Sequence, residues 1–460
     1  MKKLTYIFFG LLMCSISFIL SCKKSFLDEK PATNLNVPSS LSDLQLLLDN
    51  TQDINRSPVL GELAADDYYL SSTAWGSLIA PYQANSYIWA KDIFAGNGQV
   101  SDWDAPYAEV LTANVALEQL SRIDRNSTNG ADYDNIKGSA LFMRAFIFFD
   151  LAQVFALPYD KTTAGADLGI PIRLTADING PSIRATLQAT YDQIISDVLK
   201  AKSLLTVGYV KNYFNRPTKA AAYGFLSRIY LNMRNYEQAG LYADSALLLH
   251  STLIDYNQIS KTSKSPFPLI NDELLYNNYL VGSTPTISIF RSVGYSIDTL
   301  LYRSYSTNDL RKAVYFSING TTINQKGGYS GGRNVSNEIA TDELYLNRAE
   351  CYARAAKNDK ALTDLNALLS NRYKTGTYIP FVNLSGPTLL NTILTERRKE
   401  LVMRGLRWND IRRLNKEGFN ITLTRTLNGI VYVLPPNDPR FVLPIPPDVI
   451  ALSGIQQNNR

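Results

Sequence analysis

The sequence predicts a mainly α-helical protein: a tetratricopeptide-like scaffold of helix pairs with a loop-rich, irregular lobe and few short strands. The first supporting observation is a repeated spacing, because Tyr230 precedes Ala239 by nine residues and Tyr352 precedes Ala361 by nine. Small alanines allow two helices to cross closely, while larger rings fill the groove beside them. The second observation is that the segments between the helical stretches are long and rich in Gly, Ser, Asn, Thr and Tyr, which is typical of functional loops.

The N-terminal residues predict export and lipidation. Lys2 and Lys3 precede an apolar run, at the short end for a membrane span, that stops just before Cys22. This arrangement indicates a lipoprotein signal peptide at 1–21 and a mature chain that begins at Cys22 with lipid on its thiol. Residues 22–38 are expected to form a tether, since they contain prolines and show no helical or strand period. The alternative is an ordinary cleaved signal, or a retained anchor helix, with an incidental cysteine.

Composition argues against one class of partner and favours one kind of binding chemistry. The 46 basic and 41 acidic residues give a formal charge of +5, and the basic residues are dispersed, which argues against nucleic acid. Of the three cysteines, Cys14 leaves with the signal and Cys22 is acylated, so Cys351 is expected to form no intramolecular disulfide. A chain of this length buries a large core without one. The 28 tyrosines favour a ligand held by ring faces and hydroxyls.

Hydrophobic periodicity predicts the elements in chain order. Single helices are expected at 41–49, 107–123, 135–157 and 187–205. Asp104 is the expected N-cap of the second of these, with Pro106 in its first turn. The helix-pair repeats are expected at 218–249 and 342–369, with a weaker third unit around Ala145 and Phe148. Short strands are expected at 286–290, 313–318 and 430–434.

Residues 39–460 are expected to form one domain. Its helical scaffold is expected mainly at 104–157, 186–250 and 340–415. Loop-rich insertions are expected at 60–103, 158–185, 251–339 and 416–460. Because at least three repeats are usually needed to bury a continuous core, two clear repeats and a weak one predict a helical scaffold interrupted by insertions.

The first insertion contains the first group of candidate binding residues. Sugar rings present C–H faces that stack on aromatic rings, while amides and carboxylates bind their hydroxyls. Trp75 is the best candidate, because it lies in a polar loop among serines and glycine. The other candidates are Tyr68, Tyr69 and Tyr82, with Asp66, Asp67 and Asn85 as polar partners. Each ring has the alternative role of packing against the scaffold, as expected for Trp103.

A second candidate patch contains Tyr302 and Tyr329 among glycines and serines. Tyr329 lies in a glycine-rich run and is expected either to act as a flap residue or to occupy a flexible turn. Asp309 and Arg311 are expected to form a structural ion pair that fixes this loop. The acids and bases at 396–413 recur at helical spacing and are expected to form salt bridges of the scaffold.

No catalytic site is predicted. His250 is the only histidine, so a His-rich metal site is excluded, and a Ser-His-Asp or Cys-His arrangement would have to use this residue. Cys351 lies beside Tyr352 on a repeat helix and is expected to be a small core side chain. No local motif marks a carboxylate pair for glycoside hydrolysis, and the glycine run at 327–332 lacks the lysine of a phosphate-binding loop. The sequence therefore indicates no cofactor and no metal.

Further motifs follow in order along nearly the whole chain. They are the residues 22–28 after the signal; Trp103, Tyr107 and Asn114 at the first long helix; 309–311; 344–350; 396–401 followed by Gly405, Arg407, Trp408, Asp410, Arg412 and Arg413; and 443–446. In these motifs and their order the chain resembles the SusD/RagB nutrient-uptake lipoproteins of Bacteroidetes outer membranes.

The resemblance implies a tetratricopeptide-type core, a lobe that faces ligand, and a lipid anchor in the outer membrane, with the protein facing the cell exterior. It also implies a partner, a TonB-dependent barrel transporter of the SusC type, and a ligand that is bound and not cleaved. The ligand stays open between an oligosaccharide or polysaccharide and, as in RagB-like proteins, a peptide. Different classes of function, an exported glycosidase or a pure scaffolding protein, are the remaining alternatives. The chain is short for the family, so its variable loops are expected to be trimmed.

Overall fold

The computed structural model describes residues 38–51, 54–208, 213–280, 290, 293–331 and 335–460. The predicted signal peptide, the predicted lipid site at Cys22 and residues 22–37 of the tether lie outside the described residues. So do residues 286–289 of the predicted strand at 286–290. Residues Ser40–Arg460 form one compact unit, to which the fold and the site below belong.

Helices dominate the order of elements along the chain. The α-helices are α1 Leu41–Asp49, α2 Leu60–Ala64, α3 Ser72–Gly76, α4 Pro81–Tyr87, α5 Ser101–Leu120, α6 Gly130–Phe155, α7 Leu187–Leu204, α8 Lys219–Asn232, α9 Tyr236–Leu249, α10 Thr299–Ser304, α11 Arg311–Tyr315, α12 Thr341–Arg354, α13 Asn358–Ser370, α14 Gly386–Glu400, α15 Arg407–Asn415 and α16 Pro447–Ser453. The strands are β1 Arg56–Ser57, β2 Tyr68–Leu70, β3 Leu168–Pro171, β4 Arg184–Thr186, β5 Leu274–Tyr276, β6 Tyr279–Leu280, β7 Tyr295–Ile297, β8 Phe316–Asn319, β9 Thr322–Gln325, β10 Ile339–Ala340, β11 Leu423–Leu427 and β12 Ile430–Leu434. The predicted fold class, mainly α with few short strands, is confirmed.

Side-chain caps explain why several predicted helices begin where they do. Ser40 and Asp43 form a reciprocal capping box, in which the Ser40 hydroxyl accepts from the Asp43 amide and the Asp43 carboxylate accepts from the Ser40 amide. Thr186, Thr218 and Asn235 each accept a backbone N–H at the starts of α7, α8 and α9. These polar side chains satisfy amides that have no partner inside the helix, so the boundaries follow from the sequence.

Two helix starts and one strand differ from the prediction. The predicted N-cap role of Asp104 is wrong, because α5 begins three residues earlier at Ser101. Asp102 on its first turn accepts from the amides of Val59 (2.6 Å) and Leu60 (2.9 Å), so a contact with α2 fixes this end. Helix α6 begins at Gly130, ahead of the predicted residue 135. Of the predicted strand at 313–318, residues 313–315 are helical in α11 and only 316–318 are extended, in β8.

The paired helices pack through small residues, as the repeated spacing predicts. Helix α8 packs against α9, α9 against α12, and α12 against α13. Ala239, Ala243 and Ala361 are fully buried in these contacts. A Cβ atom placed on Gly240 would lie 3.0 Å from the Cβ of Cys351, so α9 and α12 approach too closely there for larger side chains. Cys351 is the small core side chain that was predicted.

Helix α6 is the apolar centre of the scaffold. Among the described helices it is the one long and apolar enough to cross a membrane, and its apolar window is entirely buried inside the protein, as in the core helix of a folded domain. It packs against α5 on one side and α7 on the other. Phe142 and Phe146 contact Phe225 of α8 and Tyr276 of β5, with ring centroids 4.8–5.5 Å apart. This aromatic cluster therefore joins the first half of the scaffold to an insertion.

The short strands join insertions that are far apart in sequence. Strand β2 pairs with β7 (Tyr69 opposite Ser296), β1 with β6, and β5 with β10. The hairpin of β11 and β12 turns at Asn428 and Gly429, which both have positive φ, as a tight two-residue turn requires. The predicted strand at 430–434 is thereby confirmed. Sheet pairing thus fixes the 60–103 insertion against the 251–339 insertion.

Buried ion pairs connect the same insertion to the last helices of the scaffold. Arg372 contacts Glu273 (2.8 Å) and Glu400 (2.7 Å). Arg311 contacts Asp309 (2.7 Å) and also Glu400 (3.0 Å). These five side chains, which we call the buried ion-pair chain, are almost completely shielded from solvent. The predicted Asp309–Arg311 pair and the predicted scaffold role of the charges at 396–413 are confirmed.

Removing one member of this chain is expected to destabilise the protein strongly. Arg372→Met leaves the buried Glu273 carboxylate without its cation and leaves Glu400 with Arg311 alone, so the free energy of unfolding is expected to fall by about 3–5 kcal/mol. Arg122→Met, which breaks an exposed pair with Glu118, is the control and is expected to cost less than about 1 kcal/mol. Urea unfolding followed by circular dichroism measures both. Equal, small losses in the two variants would contradict the stabilising role of the chain.

Candidate functional site

The structure divides the candidate rings into buried and accessible ones. Tyr68, Tyr82 and Tyr329 are buried, so their ring faces contact protein and leave no face for a sugar in this arrangement. Trp75 and Tyr302 are half-buried, and Tyr69 is 40% exposed. Stacking on a sugar requires an open ring face. The accessible rings are therefore the ones that fit a binding site.

Strand alternation decides between the two adjacent tyrosines. Successive side chains in β2 point to opposite faces, so Tyr68 points inward and Tyr69 outward. The Tyr68 ring packs against Tyr295 and Phe290 (centroids 5.3 and 5.4 Å apart), and its hydroxyl donates to the Leu63 carbonyl at 2.8 Å. Tyr68 is thus a core residue of the lobe, whereas Tyr69 faces solvent.

Tyr329 is held inside the protein and does not form a mobile flap. Its hydroxyl donates to the Glu273 carboxylate, and the Arg404 guanidinium lies 4.2 Å from its ring centroid. The Asn271 amide donates to the Tyr329 carbonyl at 3.0 Å. Burial raises the pKa of the Tyr329 hydroxyl well above its ordinary value. The described part of the glycine-rich run, residues 327–331, thus places this tyrosine beside the buried ion-pair chain.

Trp75, Tyr82 and Asn85 lie on neighbouring short helices. The Trp75 indole N–H donates to the Ala84 carbonyl at 3.0 Å, which ties α3 to α4. The Asn85 amide donates to the Ile93 carbonyl at 3.1 Å, so it holds the following turn. Trp75 is half-buried, and neither Trp75 nor Asn85 lines the cavity that opens beside Tyr69.

A cavity of about 430 Å³ opens beside Tyr69, and we call it the Tyr69 cavity. Its walls are formed by residues of β2, the start of α10, α14 and β11. They are Asp66, Tyr68, Tyr69, Leu70, Tyr87, Trp89, Asp298, Leu300, Arg398, Thr422, Leu423, Thr424, Arg425 and Thr426. Thr422, just before β11, and Thr424 and Thr426 within it are exposed at alternate positions, so three hydroxyls form a row on one side of this segment.

Two arginines determine the charge at the rim of this cavity. Arg407 contacts the Asp66 carboxylate at 2.6 Å, and Arg398 contacts Asp66 at 3.3 Å and Asp67 at 3.0 Å. Burial acts to raise the pKa of Asp66, but the ion pair with Arg407 outweighs it and lowers that pKa below its ordinary value. Asp67 is fully buried, and burial raises its pKa despite Arg398. Asp66 therefore presents a fixed negative charge at the cavity, whereas Asp67 supports Arg398 from beneath.

This combination of groups suits a polyhydroxylated ligand. An exposed ring offers a flat apolar face, while threonine hydroxyls, a carboxylate and a guanidinium offer acceptors and donors. The Arg425 guanidinium also lines the cavity and lies 3.4 Å from the Tyr87 ring centroid. The arrangement can bind sugar hydroxyls by hydrogen bonds while Tyr69 stacks on a ring.

Sequence reasoning missed the threonine row and the two arginines. The threonines alternate with Leu423, Arg425 and Leu427 before Asn428 and Gly429, a pattern that predicts a hairpin strand with one polar face. Arg398 and Arg407 were assigned to the scaffold only. Their contacts with Asp66 and Asp67 join residues more than 300 positions apart, and no local pattern signals such a pairing.

A second depression surrounds Tyr302, and we call it the lysine groove. Its volume is about 770 Å³, and it is lined by Lys261, Thr262, Ser263, Lys264, Tyr302, Thr307, Asp309, Leu310, Lys312, Ala313, Phe316, Ser317, Ile318, Gln325 and Lys326. The Tyr302 ring meets Phe316 edge to face at 5.7 Å, and the Lys312 ammonium lies 4.6 Å from its centroid. Tyr302 and Tyr69 thus belong to two different depressions.

The potentially reactive side chains among the described residues lie elsewhere. His250 at the end of α9 contacts the Asp272 carbonyl at 2.6 Å through Nε2 and lines neither depression. Burial raises the pKa of the Cys351 thiol well above its ordinary value, which disfavours the reactive thiolate.

Two family models match the chain. One, described as "Starch-binding associating with outer membrane", matches residues 25–231. The other, described as "SusD family", matches residues 284–451. Together they span most of the chain, including the residues that line the Tyr69 cavity, whereas residues 261–264 of the lysine groove lie between the two matches.

Similar full sequences come from Formosa agariphila. SusD-like protein P38 is 26% identical over 58% of this chain, which spans only 49% of the length of P38. SusD-like protein P2 is 24% identical over 79% of this chain and 81% of P2.

Solved structures share the fold. A SusD superfamily protein from Bacteroides thetaiotaomicron superposes with a TM-score of 0.73 at 22% identity, covering 92% of this chain and all of that one. A laminarin-binding SusD-like protein superposes with a TM-score of 0.64 at 17% identity, covering 91% of this chain and 98% of that one.

Glu62, a buried glutamate close enough to Asp67 to be affected by its charge, generates a prediction about pH. Burial, reinforced by Asp67, raises the pKa of Glu62 to about 8, and its one hydrogen bond from the Gly405 amide (3.0 Å) does not offset this. Because the folded pKa lies above the unfolded one, the stability that protonated Glu62 contributes is complete below about pH 4.5 and is lost progressively up to about pH 8.

Glu62→Gln removes this titration. The variant is expected to gain stability over the wild type as the pH rises from 5 to 8, by at most about 1.4 kcal/mol per pH unit. Melting temperatures measured across this range test the prediction, with Glu118→Gln on the exposed face of α5 as the reference. A difference between Glu62→Gln and wild type that stays constant with pH would show that Glu62 does not titrate there.

Proposed function

The chain belongs to the SusD/RagB family, and from this premise we propose that it is a glycan-binding protein of nutrient uptake that passes its ligand to a SusC-like TonB-dependent outer-membrane transporter. The observation that supports this proposal is the Tyr69 cavity, in which an exposed ring faces a row of threonine hydroxyls. The ligand we propose is an oligosaccharide or polysaccharide.

The chemistry of the cavity favours sugar over the alternatives. Sugar rings pair an apolar C–H face with a rim of hydroxyls, and the cavity offers a matching ring and polar rim. The laminarin-binding relative shows that a protein of this fold takes a polysaccharide. A peptide ligand, the alternative for RagB-like proteins, would instead be expected to use main-chain pairing or pockets for single side chains.

We propose binding without cleavage. Glycoside hydrolysis usually needs two carboxyl groups on either side of the scissile bond, one of them able to donate a proton. Two carboxylates line the Tyr69 cavity, Asp66 and Asp298. Asp66 is paired with two arginines and has a lowered pKa, so it is a poor proton donor, and Asp298 lies 4.0 Å from Arg398. Release of reducing ends from a bound polysaccharide would contradict this part of the proposal.

We also propose that Cys22 bears the lipid and that the protein faces the exterior of the outer membrane. The support is the signal-like N-terminus, which lies outside the described residues, and the family to which the chain belongs. Lipid chains fasten a folded domain to a bilayer without a spanning helix.

Removing the exposed ring is expected to weaken glycan binding. Tyr69→Ala deletes the stacking face but leaves Tyr68 and the core in place, so retention in affinity electrophoresis with the preferred glycan is expected to weaken about five- to tenfold. Tyr213→Ala, which removes a tyrosine of similar exposure (43% against 40%) outside both depressions, is the control. Unchanged retention of Tyr69→Ala, with helical circular dichroism intact, would remove this cavity from the site.

Replacing the lipidated cysteine is expected to release the protein from the membrane. Cys22→Ala is expected to lose labelling by radioactive palmitate and to leave the membrane fraction, whereas the buried Cys351→Ala is expected to keep both. Label that persists in Cys22→Ala would exclude this anchor.

Mild detergent extraction of wild-type membranes is expected to co-purify a barrel transporter, and recovery of the lipoprotein alone would contradict the proposed partner.

A further inference from the structure

The lysine groove gathers positive charge from three separate segments. Lys261 and Lys264 follow the 3-10 turn Tyr256–Gln258, Lys312 belongs to α11, and Lys326 follows β9. Backbone and side-chain hydrogen bonds hold these segments together. The Gly327 amide donates to the Lys264 carbonyl at 2.8 Å. The Lys326 ammonium donates to the Lys261 carbonyl at 2.5 Å and to the Ala313 carbonyl at 2.7 Å. The four lysines are therefore placed around one depression by the fold.

None of the four ammonium groups is paired with a carboxylate in the described part of the chain. Besides the contacts of Lys326, Lys261 donates to the Asn257 carbonyl at 2.7 Å and Lys312 to the Tyr305 carbonyl at 3.2 Å. Carbonyl dipoles orient an ammonium group but do not cancel its net charge. Among the described salt bridges, which reach out to 4.0 Å, none involves these lysines.

The carboxylate that lines the groove is already neutralised from behind. Asp309 is almost fully buried, and its oxygens contact Arg311 at 2.7 Å and Lys399 at 3.2 Å. The Arg311 ion pair outweighs burial and lowers the pKa of Asp309, so it stays charged within that cluster. Asp309 is therefore a structural part of the buried ion-pair chain and supplies no counter-charge to the four lysines.

Like charges gathered in a concave surface focus a positive potential. The low-dielectric walls of a cleft concentrate field lines, which attracts anions to it. Mutual repulsion of the lysines opposes folding, and burial also lowers the pKa of Lys326. The chain as a whole has a formal charge of only +5, so four lysines in one groove are a large local excess. An anionic ligand would remove this repulsion.

The remaining lining of the groove suits a sugar backbone. Tyr302 offers a half-buried ring, while Thr262, Ser263, Thr307 and Gln325 offer hydroxyl and amide groups. A volume of about 770 Å³ lies within the range of small-molecule sites, roughly 300–1,000 Å³. The groove thus combines the ring and hydroxyls of a glycan site with a cationic rim that the Tyr69 cavity lacks.

We propose that the lysine groove binds the acidic groups, carboxylate or sulfate, of an anionic oligosaccharide. This inference rests on the glycan-binding function proposed above and adds the charge class of the ligand. Uronic acid residues and sulfate esters share the chemistry that the lysines recognise, since both present negatively charged oxygens to ammonium donors.

Charge substitution at the most accessible lysine tests the proposal. Lys264 is exposed, and its ammonium makes no hydrogen bond or ion pair with any described residue, so Lys264→Gln and Lys264→Glu are expected to leave the fold unchanged. The control is Lys161→Glu, which changes another exposed lysine, outside the groove, and gives the same change in net charge. The full-length protein in detergent is run in affinity gels that contain polygalacturonate, dextran sulfate, neutral laminarin or polyglutamate.

Retention by the acidic glycans is expected to follow the charge at position 264. Lys264→Gln is expected to weaken it about two- to threefold and Lys264→Glu about five- to tenfold, as for loss and reversal of an exposed ionic contact. Lys161→Glu is expected to match wild type. Added salt is expected to weaken retention by acidic glycans, since it screens exposed charges. Stronger retention by polygalacturonate or by dextran sulfate identifies which acidic group is preferred.

The other outcomes separate this inference from the proposed function. Retention by laminarin alone would overturn the anionic ligand and leave glycan binding intact. Retention by acidic glycans that is equal in Lys264→Glu and Lys161→Glu would overturn the groove as their site. If polyglutamate alone retains the wild type, and Lys264→Glu loses this retention, the ligand of the groove would be an acidic peptide and the proposed acidic glycan would be overturned. Wild-type protein that none of the four polymers retains would overturn the inference and count against the proposed function itself.

Discussion

The buried ion-pair chain is the constraint on which the arrangement of the lobe depends. Glu400, at the end of α14, contacts both Arg372 and Arg311, which continue to Glu273 and Asp309. A buried charge without its partner costs several kcal/mol, so each side chain is tolerated only while the others are in place. Glu273, Asp309 and Arg311 belong to the 251–339 insertion, whereas Arg372 and Glu400 belong to the scaffold. The insertion therefore has one favourable position on the scaffold, even though its strands are only two to four residues long.

The same scaffold helices also position the candidate binding residues. Arg398 of α14 and Arg407 of α15 hold Asp66 and Asp67, and these aspartates lead directly into β2. Pairing of β2 with β7 then directs Tyr69 outward and Tyr68 inward. The exposed ring of the Tyr69 cavity thus follows from charges on two helices and the register of a three-residue strand. A helical framework gives short loops a defined shape through such contacts, without a large sheet.

The long-range contacts described above explain which features of the fold and of the candidate site could be predicted from the sequence. Local spacing determines the helix pairs, the scaffold role of the charges at 396–413 and the start of α1 at its Ser40 cap. These features were therefore predictable from the sequence. The choice between Tyr68 and Tyr69 was not, because it depends on β7, more than 200 residues away. The burial of Asp67 was not predictable either, because its partner Arg398 lies 331 positions later. The glycine-rich surroundings of Tyr329 indicated a flexible turn, but its ring packs against Arg404. Long-range ion pairs and strand register leave no period in the sequence.

One short helix connects the two depressions. Asp298 caps α10, because its side chain accepts a hydrogen bond from the Leu301 amide at 2.8 Å. Asp298 also lines the Tyr69 cavity, whereas Tyr302 on α10 lines the lysine groove. The charges lining the Tyr69 cavity balance, with Asp66 and Asp298 against Arg398 and Arg425, while those of the lysine groove do not. A glycan whose neutral rings meet Tyr69 and whose acidic groups meet the lysines would therefore be held by two kinds of force, of which salt weakens only the second.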